Sequence, residues 1–198
     1  MHDDDARLVT ALLAGDEAAF TTLSLSVQRP LSGLVRRLVS EAAVEDVVQQ
    51  TWLTVLSSLA RFEGRSRLST WVLQIGLNLA RAVNRSAGRE EPLSDDEAPA
   101  EERFTAVGRW SQPVREWVVS TDDPERAASN RQLLTALDRA LQELPEKQRV
   151  AVTLCDVEGL LPREAAEVLG VEDGSLRVVL HRGRTKLRES LERSLGRV

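Results

Sequence analysis

Hydrophobic side chains recur at helical spacing in the first part of this 198-residue chain. Val48, Trp52 and Val55 fall on one side of a helix, which predicts an amphipathic element there. Residues 61–69 then lose the pattern, and they hold Gly64 among polar and charged neighbours. This composition predicts a loop after the helix.

A second apolar stripe predicts another helix directly after this loop. We expect Ser69 to cap it and the helix itself to begin near Trp71. The residues predicted to be buried on it are Trp71, Val72, Ile75, Leu79 and Val83.

Helical spacing returns in the last third of the chain. Asp123, Pro124 and Glu125 form a helix start, because Pro suits the first helical position and Asp can cap it. Pro145, Gly159, Pro162 and Gly170 divide the next part of the chain into short helices. A longer helix is expected over about 174–194, and no segment reads as a strand. The fold class is therefore predicted to be all-α.

Residues 89–123 interrupt the periodicity with three prolines and an acidic run, so we predict a flexible linker there. It would join two small helical domains, residues 1–88 and 124–198. Trp110 and Trp117 lie in the second half of this linker. Large apolar side chains in a polar segment usually pack on a partner, so we expect these two tryptophans to dock.

Composition and charge narrow the class of protein. Hydrophobic residues make up 42% and charged residues 29% of the chain, as in globular proteins. No apolar run approaches the roughly 20 residues of a membrane span. The N-terminus is acidic where a secretion signal is basic, so we expect a cytoplasmic protein. The net charge of the chain is −5, and the acidic excess lies in residues 89–123, whereas residues 61–85 and 171–198 are locally basic.

The inventory of chemically reactive side chains is small. Cys155 is the single cysteine, and His2 and His181 are the two histidines, which argues against a disulfide framework and a zinc site. Cys155 lies in an apolar run, so a small core residue is expected there, with a redox role as the alternative. We expect no catalytic residues, no metal and no cofactor, because neither a histidine-based triad nor a phosphate-binding glycine motif can be formed.

Residues 161–188 have the form of a helix-turn-helix, with Gly170 at the turn. On the second helix, Arg177, His181, Arg184 and Arg188 are spaced four, three and four, and therefore share a face. Such a face can place cations on phosphates and side chains on base edges in the major groove. A solvated charged surface is the alternative interpretation.

The helix after the loop carries a similar polar stripe beside Trp71. Gln74, Asn78, Arg81 and Arg85 repeat the spacing of four, three and four. Amide and cationic groups next to an aromatic ring suit unpaired bases, which stack and present hydrogen-bonding edges. Ordinary amphipathicity, with Trp71 as a core residue, is the alternative.

Two sets of motifs in this chain resemble conserved domains of bacterial sigma factors of the extracytoplasmic-function (ECF) group, and they cover most of the sequence in the order of that family. The first set is EDVVQQTW (45–52) and FEGRSRLSTWVLQI (62–75); the second is LPEKQR (144–149), DVEGL (156–160), AAEVLGV (165–171) and LHRGR (180–184).

The resemblance implies a factor that binds core RNA polymerase, at the β′ clamp helices and the β flap, and carries it to promoter DNA, under the control of an anti-sigma partner. It assigns docking on polymerase to Asp46, Gln49, Gln50 and Leu53. It assigns binding of the opened −10 element to Arg65, Arg67, Trp71, Gln74, Asn78, Arg81 and Arg85. It assigns binding of the −35 duplex to Arg163, Ser175, Arg177, His181, Arg182, Arg184 and Arg188.

Some positions depart from the family pattern. Leu77 and Val179 stand where arginine is common, and Leu161 precedes Pro162 where a Ser or Thr cap is usual. These departures bear on promoter preference and not on the fold. A helix-turn-helix repressor would explain the last third of the chain but leave the first unused, and an enzyme lacks a paired catalytic site.

Overall fold

The computed structural model describes residues 3–88 and 124–195, and in these ranges it is helical without a strand. The first region contains α1 (Asp3–Leu13), α2 (Glu17–Arg36), α3 (Glu41–Ser58), a 3₁₀ turn (Leu59–Arg61) and α4 (Leu68–Ser86). The second contains α5 (Pro124–Gln142), α6 (Glu146–Val152), a π-helical segment (Thr153–Val157), α7 (Pro162–Leu169) and α8 (Asp173–Leu195). The expected linker, with Trp110 and Trp117, lies outside the described residues.

The first region is built around α4, which packs on α2 and α3. Asp16 caps α2 by accepting from the backbone nitrogens of Ala18 and Ala19. Gly76 lets α4 approach α2 closely, because a Cβ at this position would overlap the side chain of Leu31. The all-helical prediction is confirmed for both regions.

The start of α4 differs from the prediction. The helix begins at Leu68, one turn before Trp71, and Ser69 lies inside it. Arg67 is the N-cap residue and makes no side-chain cap bond. Asp5 of α1 supplies the cap instead, since its carboxylate accepts from the backbone nitrogen of Leu68 at 3.1 Å. The capping group comes from a distant part of the chain, which sequence spacing does not reveal.

The buried face of α4 is also rotated from the predicted one. Of the predicted set, Val72 is fully buried, whereas Trp71, Ile75, Leu79 and Val83 are partly buried against the core. The reason is that α4 packs against α2, α3 and α7. Its most buried residues are Leu68, Thr70, Val72, Leu73, Gly76, Leu77 and Ala80.

The second region contains the expected helix-turn-helix. Gly170 ends α7 in the left-handed conformation, with φ of 68°, and α8 follows after two further residues. Gly183 brings α8 against α6, because a Cβ there would press on Val152 and Gln148. Leu176 and Leu180 of α8 are buried as predicted.

The two regions pack on each other, and one continuous set of buried apolar residues runs through both. The main contact is between α4 and α7. Among the described helices, none has the length and apolar content that a bilayer crossing demands. The described residues also contain no group of three or more His, Cys, Asp or Glu that could hold a metal ion.

Candidate nucleic-acid interface

One face of α3 is open to solvent and carries the residues assigned to polymerase docking. Asp46, Gln49, Gln50 and Leu53 follow the spacing of one helical face, and all four are exposed. Leu53 is 62% exposed, although it is a large apolar residue. Beside this face, the indole nitrogen of Trp52 lies 3.3 Å from Gln28 Oε1 on α2.

The loop before α4 presents two arginines. Arg65 pairs with Glu63 at 2.5 Å, and its side chain is 85% exposed. Arg67 lies 3.4 Å from Glu164 of α7. Trp71 packs on Phe62 with ring centroids 5.1 Å apart and remains partly exposed. Trp71 therefore packs against the core and is still partly accessible to solvent. The interpretation as a core residue and the interpretation as a surface for base stacking are compatible.

The polar stripe of α4 is divided by the second region. Gln74 donates from Nε2 to the backbone carbonyl of Glu167 at 2.5 Å. Arg81 Nε lies 2.7 Å from Glu146 Oε1, and their side chains are 24% and 17% exposed. Asn78 is exposed, as is Arg85. Half of the stripe thus lies at the contact between the regions.

The predicted basic face of α8 is not uniform. Arg177 is exposed, His181 is half-buried, and Arg188 pairs with Glu192 one turn later at 2.6 Å. Arg184 turns towards the π-helical segment, where its guanidinium donates to both carboxylate oxygens of Asp156 at 2.9 and 2.6 Å. This bidentate pair leaves 12% of the Arg184 side chain exposed.

The other residues assigned to the −35 element lie elsewhere on the helix-turn-helix. Arg163 is on α7, where it is 73% exposed and lies 3.4 Å from Glu167. Ser175 is exposed in the first turn of α8, and Arg182 is half-buried. By helical spacing, Ser175 and Arg182 lie on a different side of α8 from Arg177 and Arg188.

Cys155 is partly buried next to the Arg184–Asp156 pair. Burial, together with the charge of Asp156, raises the pKa of this thiol from 9.0 to about 11. At neutral pH the group is therefore protonated and a poor nucleophile. This favours the small core residue over the redox role.

Two of the three departures from the family pattern, Leu77 and Val179, lie away from solvent. Leu77 is 1% exposed in the core of the first region. Val179 is partly buried and packs against the core. Leu77 therefore belongs to the packing of α4 and not to its polar stripe.

A cleft of about 340 Å³ lies between the loop and α7. Its walls bring together Arg65 and Arg67 of the first region with Arg163, Glu164 and Glu167 of the second. Sequence reasoning did not single out the two glutamates or Glu146. Glu164 had a local signal, because it accepts from the nitrogen of Leu161 in the manner of a capping box. The contact of Glu164 with Arg67 had no such signal in the sequence.

Comparison with known families finds matches in both regions. Residues 23–90 match the family described as Sigma-70 region 2, and residues 134–187 match the family described as Sigma-70, region 4. Among curated proteins, the chain is 31% identical to the ECF RNA polymerase sigma-E factor of Escherichia coli strain K12. That alignment covers 91% of this chain and 90% of the relative. The RNA polymerase sigma-H factor of Pseudomonas aeruginosa is 30% identical, over 96% of this chain and 95% of its own length.

Two solved structures share the fold. One is CnrH in complex with the cytosolic domain of CnrY, with a TM-score of 0.66 and 24% identity over 96% of this chain and 98% of that one. The other is the sigma factor RpoE in complex with the anti-sigma factor NepR from Bartonella quintana, with a TM-score of 0.60. Its identity is also 24%, over 87% of this chain and 96% of that chain.

Proposed function

Since this chain belongs to the ECF group of RNA polymerase sigma factors, we propose that it binds core polymerase and directs initiation at promoters by contacting the −35 duplex and the opened −10 strand. The observation that carries the proposal is the order of its two matched regions, with an open polar face on α3 in the first and a helix-turn-helix in the second. In this role the chain acts by binding, in the cytoplasm, and carries no catalytic residue, cofactor or metal.

Docking on polymerase is assigned to the exposed face of α3. Leu53 supplies an apolar anchor, and Asp46, Gln49 and Gln50 surround it with polar groups. An apolar centre with a polar rim is the usual composition of a protein interface. We assign the β′ clamp helices to this face and the β flap to the second region.

The −10 element is assigned to the loop before α4 and to the polar stripe of this helix. Arg65 and Arg67 can neutralise phosphates, while Trp71 offers part of a ring on which a base can stack. Gln74, Asn78, Arg81 and Arg85 would then contact base edges and the backbone. Capture of a flipped base offsets the few kcal/mol that unstacking costs, so no nucleotide hydrolysis is required.

The −35 element is assigned to the helix-turn-helix. Arg177 and Arg188 project from α8, Ser175 lies at its start, and Arg163 approaches from α7. His181 and Arg182 of α8 are assigned to the same element. Arg184 contributes through its pair with Asp156, which holds α8 against the π-helical segment.

An anti-sigma protein is proposed as the regulator, because both structural neighbours are named as complexes, one of them with an anti-sigma factor.

The residues 89–123 are proposed as the linker between the two domains, with Trp110 and Trp117 docking on polymerase or on the regulator.

Reconstituted transcription tests the proposal. Purified core polymerase is incubated with this protein and fragmented genomic DNA, and the transcripts are sequenced. A sigma factor gives discrete start sites with core alone, whereas a helix-turn-helix repressor gives none, because it needs a holoenzyme that is already complete. Random start sites equal to those of core alone would contradict the proposal.

A further inference from the structure

The side of α8 that faces away from the core carries an exposed apolar residue. Val178 lies in the second turn of the helix and is 49% exposed. At about 100° per residue, it lies about 160° around the helix from the buried side chains of Leu176 and Leu180. Val178 therefore projects almost directly away from the core of the second region.

Two further residues share this side of α8. Gly174 precedes Val178 by four residues and Thr185 follows it by seven, so the three lie on one face. Thr185 donates its hydroxyl to the backbone carbonyl of His181 at 3.0 Å. We call Gly174, Val178 and Thr185 the outer stripe of α8. Neither Gly174 nor Val178 brings a polar side chain to it, so the first half of the stripe is small and apolar.

Arginines lie on both flanks of the outer stripe. By helical spacing, Arg182 lies about 40° from Val178 on one flank, and Arg177 and Arg188 lie about 80–100° from it on the other. Arg177 and Arg188 are exposed, and Arg182 is half-buried. The major groove is about 12 Å wide and admits one helix. Cations on the two flanks can therefore approach the phosphates of both strands, while the stripe between them faces the base edges.

The outer side of α8 changes character further along the helix. Glu189 lies on this side about three turns after Val178 and is exposed. Phosphates would repel a carboxylate there, so the first half of α8 is the part that suits the groove. Recognition helices of helix-turn-helix proteins contact bases with their N-terminal residues. The position of Val178 in the second turn agrees with such a base contact.

The chemistry of valine limits what it can recognise in the major groove. Its side chain neither donates nor accepts a hydrogen bond, and the 5-methyl group of thymine is the apolar feature that the groove offers. The amino and carbonyl groups of the bases would lose water against Val178 without gaining a partner. A β-branched residue in a helix also holds its methyl groups in one preferred rotamer, so little entropy is lost on contact.

Gly174 adds a steric argument. A Cβ at this position would meet no atom within 4 Å, so no neighbour in the described part of the chain requires a glycine there. A glycine inside a helix weakens that helix relative to alanine. The missing side chain does, however, allow the backbone of the first turn to approach a base pair closely. Gly174 therefore suits a ligand of α8 better than it suits the fold.

We infer that Val178 is a specificity-determining residue of the −35 contact, and that it selects a thymine through the 5-methyl group at the base pair beneath the outer stripe. The flanking arginines supply the sequence-independent attraction to phosphates. This inference rests on the proposed −35 role of the helix-turn-helix and adds the base that one position of α8 reads.

The test uses the full chain with core polymerase, on promoters defined by the sequenced transcripts. Each thymine of the −35 element is replaced in turn by deoxyuridine, which removes the 5-methyl group and keeps every hydrogen-bonding group. Initiation is measured at limiting holoenzyme as the ratio of the thymine template to the uracil template. Because each protein is compared with itself, a change in its stability or in its affinity for core cancels from the ratio.

We expect one thymine at which the parent chain loses initiation by about threefold to fivefold, as the loss of a single buried methyl group predicts. Val178→Ala should initiate equally on the two templates at this position. Leu134→Ala is the matched control, because it truncates an exposed apolar side chain on α5, outside the helix-turn-helix. It should keep the ratio of the parent chain.

Two results would overturn the inference directly. One is a −35 element that contains no A·T pair, or in which no thymine is sensitive to uracil. The other is an equal loss on the uracil template in the parent chain and in Val178→Ala, which would assign the methyl contact to another residue.

Two further variants test the placement of the outer stripe in the groove. Arginine pairs with guanine through two hydrogen bonds, so Val178→Arg should prefer a G·C pair at the position where the parent prefers thymine. Gly174→Leu fills open space and should keep the helical circular dichroism of the parent, but it should weaken initiation on every template. An unchanged thymine preference in Val178→Arg, or full activity of Gly174→Leu, would contradict this placement.

The same experiment separates this inference from the proposed function. If core polymerase and this chain give no discrete start sites, the proposed function fails, and the inference with it. Discrete start sites whose −35 elements are insensitive to uracil would overturn the inference alone.

Discussion

At the scale of single residues, exposure separates binding roles from structural ones. Leu53 is exposed without an evident structural contribution, which fits a docking anchor. Arg184 belongs to the predicted basic face by spacing, yet its guanidinium is engaged by Asp156. Residues that look alike in the sequence therefore divide into those that are accessible to a binding partner and those that stabilise the fold.

Leu53→Asp should weaken the binding of core polymerase by about tenfold or more, because a charge would be buried in the apolar centre of the interface. The fold should remain, since the side chain is 62% exposed. Leu25→Asp is the matched control, at a leucine of α2 that is 77% exposed. Fluorescence anisotropy with labelled chain measures both; an equal loss in the two variants would contradict the assignment.

Arg184→Ala should lower the free energy of unfolding by about 2 kcal/mol, because it leaves Asp156 without its bidentate partner. Arg177→Ala should leave stability unchanged and weaken binding to a −35 duplex, since this side chain is exposed on the same helix. Urea denaturation and duplex binding separate the effects. Equal stability of the two variants would show that Asp156 does not anchor α8.

At the scale of elements, helix ends are fixed by distant groups at one helix and by local groups at another. Asp5 of α1 caps α4, and Glu164 bonds the nitrogen of Leu161 at the start of α7. The latter contact satisfies the N–H of Leu161, which is a different group from the one that a Ser or Thr cap would bond. Gly170 then sets the turn into α8 with a left-handed conformation.

Asp5→Ala should cost about 1 kcal/mol of stability, the usual contribution of a helix cap. Asp4→Ala is the control, because its side chain is exposed on the same helix. Thermal unfolding followed by circular dichroism compares them. If both variants unfold at the same temperature, α1 does not support α4.

Gly170→Ala should destabilise the protein, whereas Gly174→Ala should not. At Gly170 the φ of 68° is unfavourable for any residue with a Cβ, so alanine should cost about 1 kcal/mol. At Gly174 the space is open and the backbone is helical, so alanine should be neutral or slightly stabilising. Urea titration gives both values, and a stabilised Gly170→Ala would refute the left-handed turn.

At the scale of the whole molecule, the packing of the two regions on each other and the proposed function require different shapes. The −10 and −35 elements lie about 25 base pairs apart, or about 85 Å at 3.4 Å per step. A compact chain of this size has a radius of gyration of about 16 Å and cannot reach both. The 35 residues of the proposed linker, fully extended, could reach about 120 Å. Binding to a promoter must therefore separate the two regions.

Labels on the two regions should accordingly move apart by several tens of Å when core polymerase and a promoter are added to the free chain. Pulsed electron paramagnetic resonance on spin labels at Ala14→Cys and Ser194→Cys, in a chain with Cys155→Ser, measures this change. Addition of core together with DNA that lacks a promoter provides the control for promoter-dependent separation. A distance that stays that of the free chain in active initiation complexes would contradict the two-element model.

The sequence by itself determined the helical class, the helix-turn-helix and the family, because periodicity, turn residues and local motifs are properties of neighbouring positions. It placed α5, α7 and α8 within a residue or two, since Pro124, Pro162 and Gly170 act on their own backbone. It also selected the exposed face of α3. Whether the assigned residues contact polymerase and DNA stays a prediction.

The tertiary structure alone decided which of those residues are accessible. The cap of α4 by Asp5, the capture of Arg184 by Asp156 and the pairing of Arg81 with Glu146 join positions far apart in the chain. The buried face of α4 was misassigned for the same reason, since α7 covers a side that helical spacing leaves undetermined. Charge and spacing show which side chains suit DNA, but packing determines which of them another part of the protein already occupies.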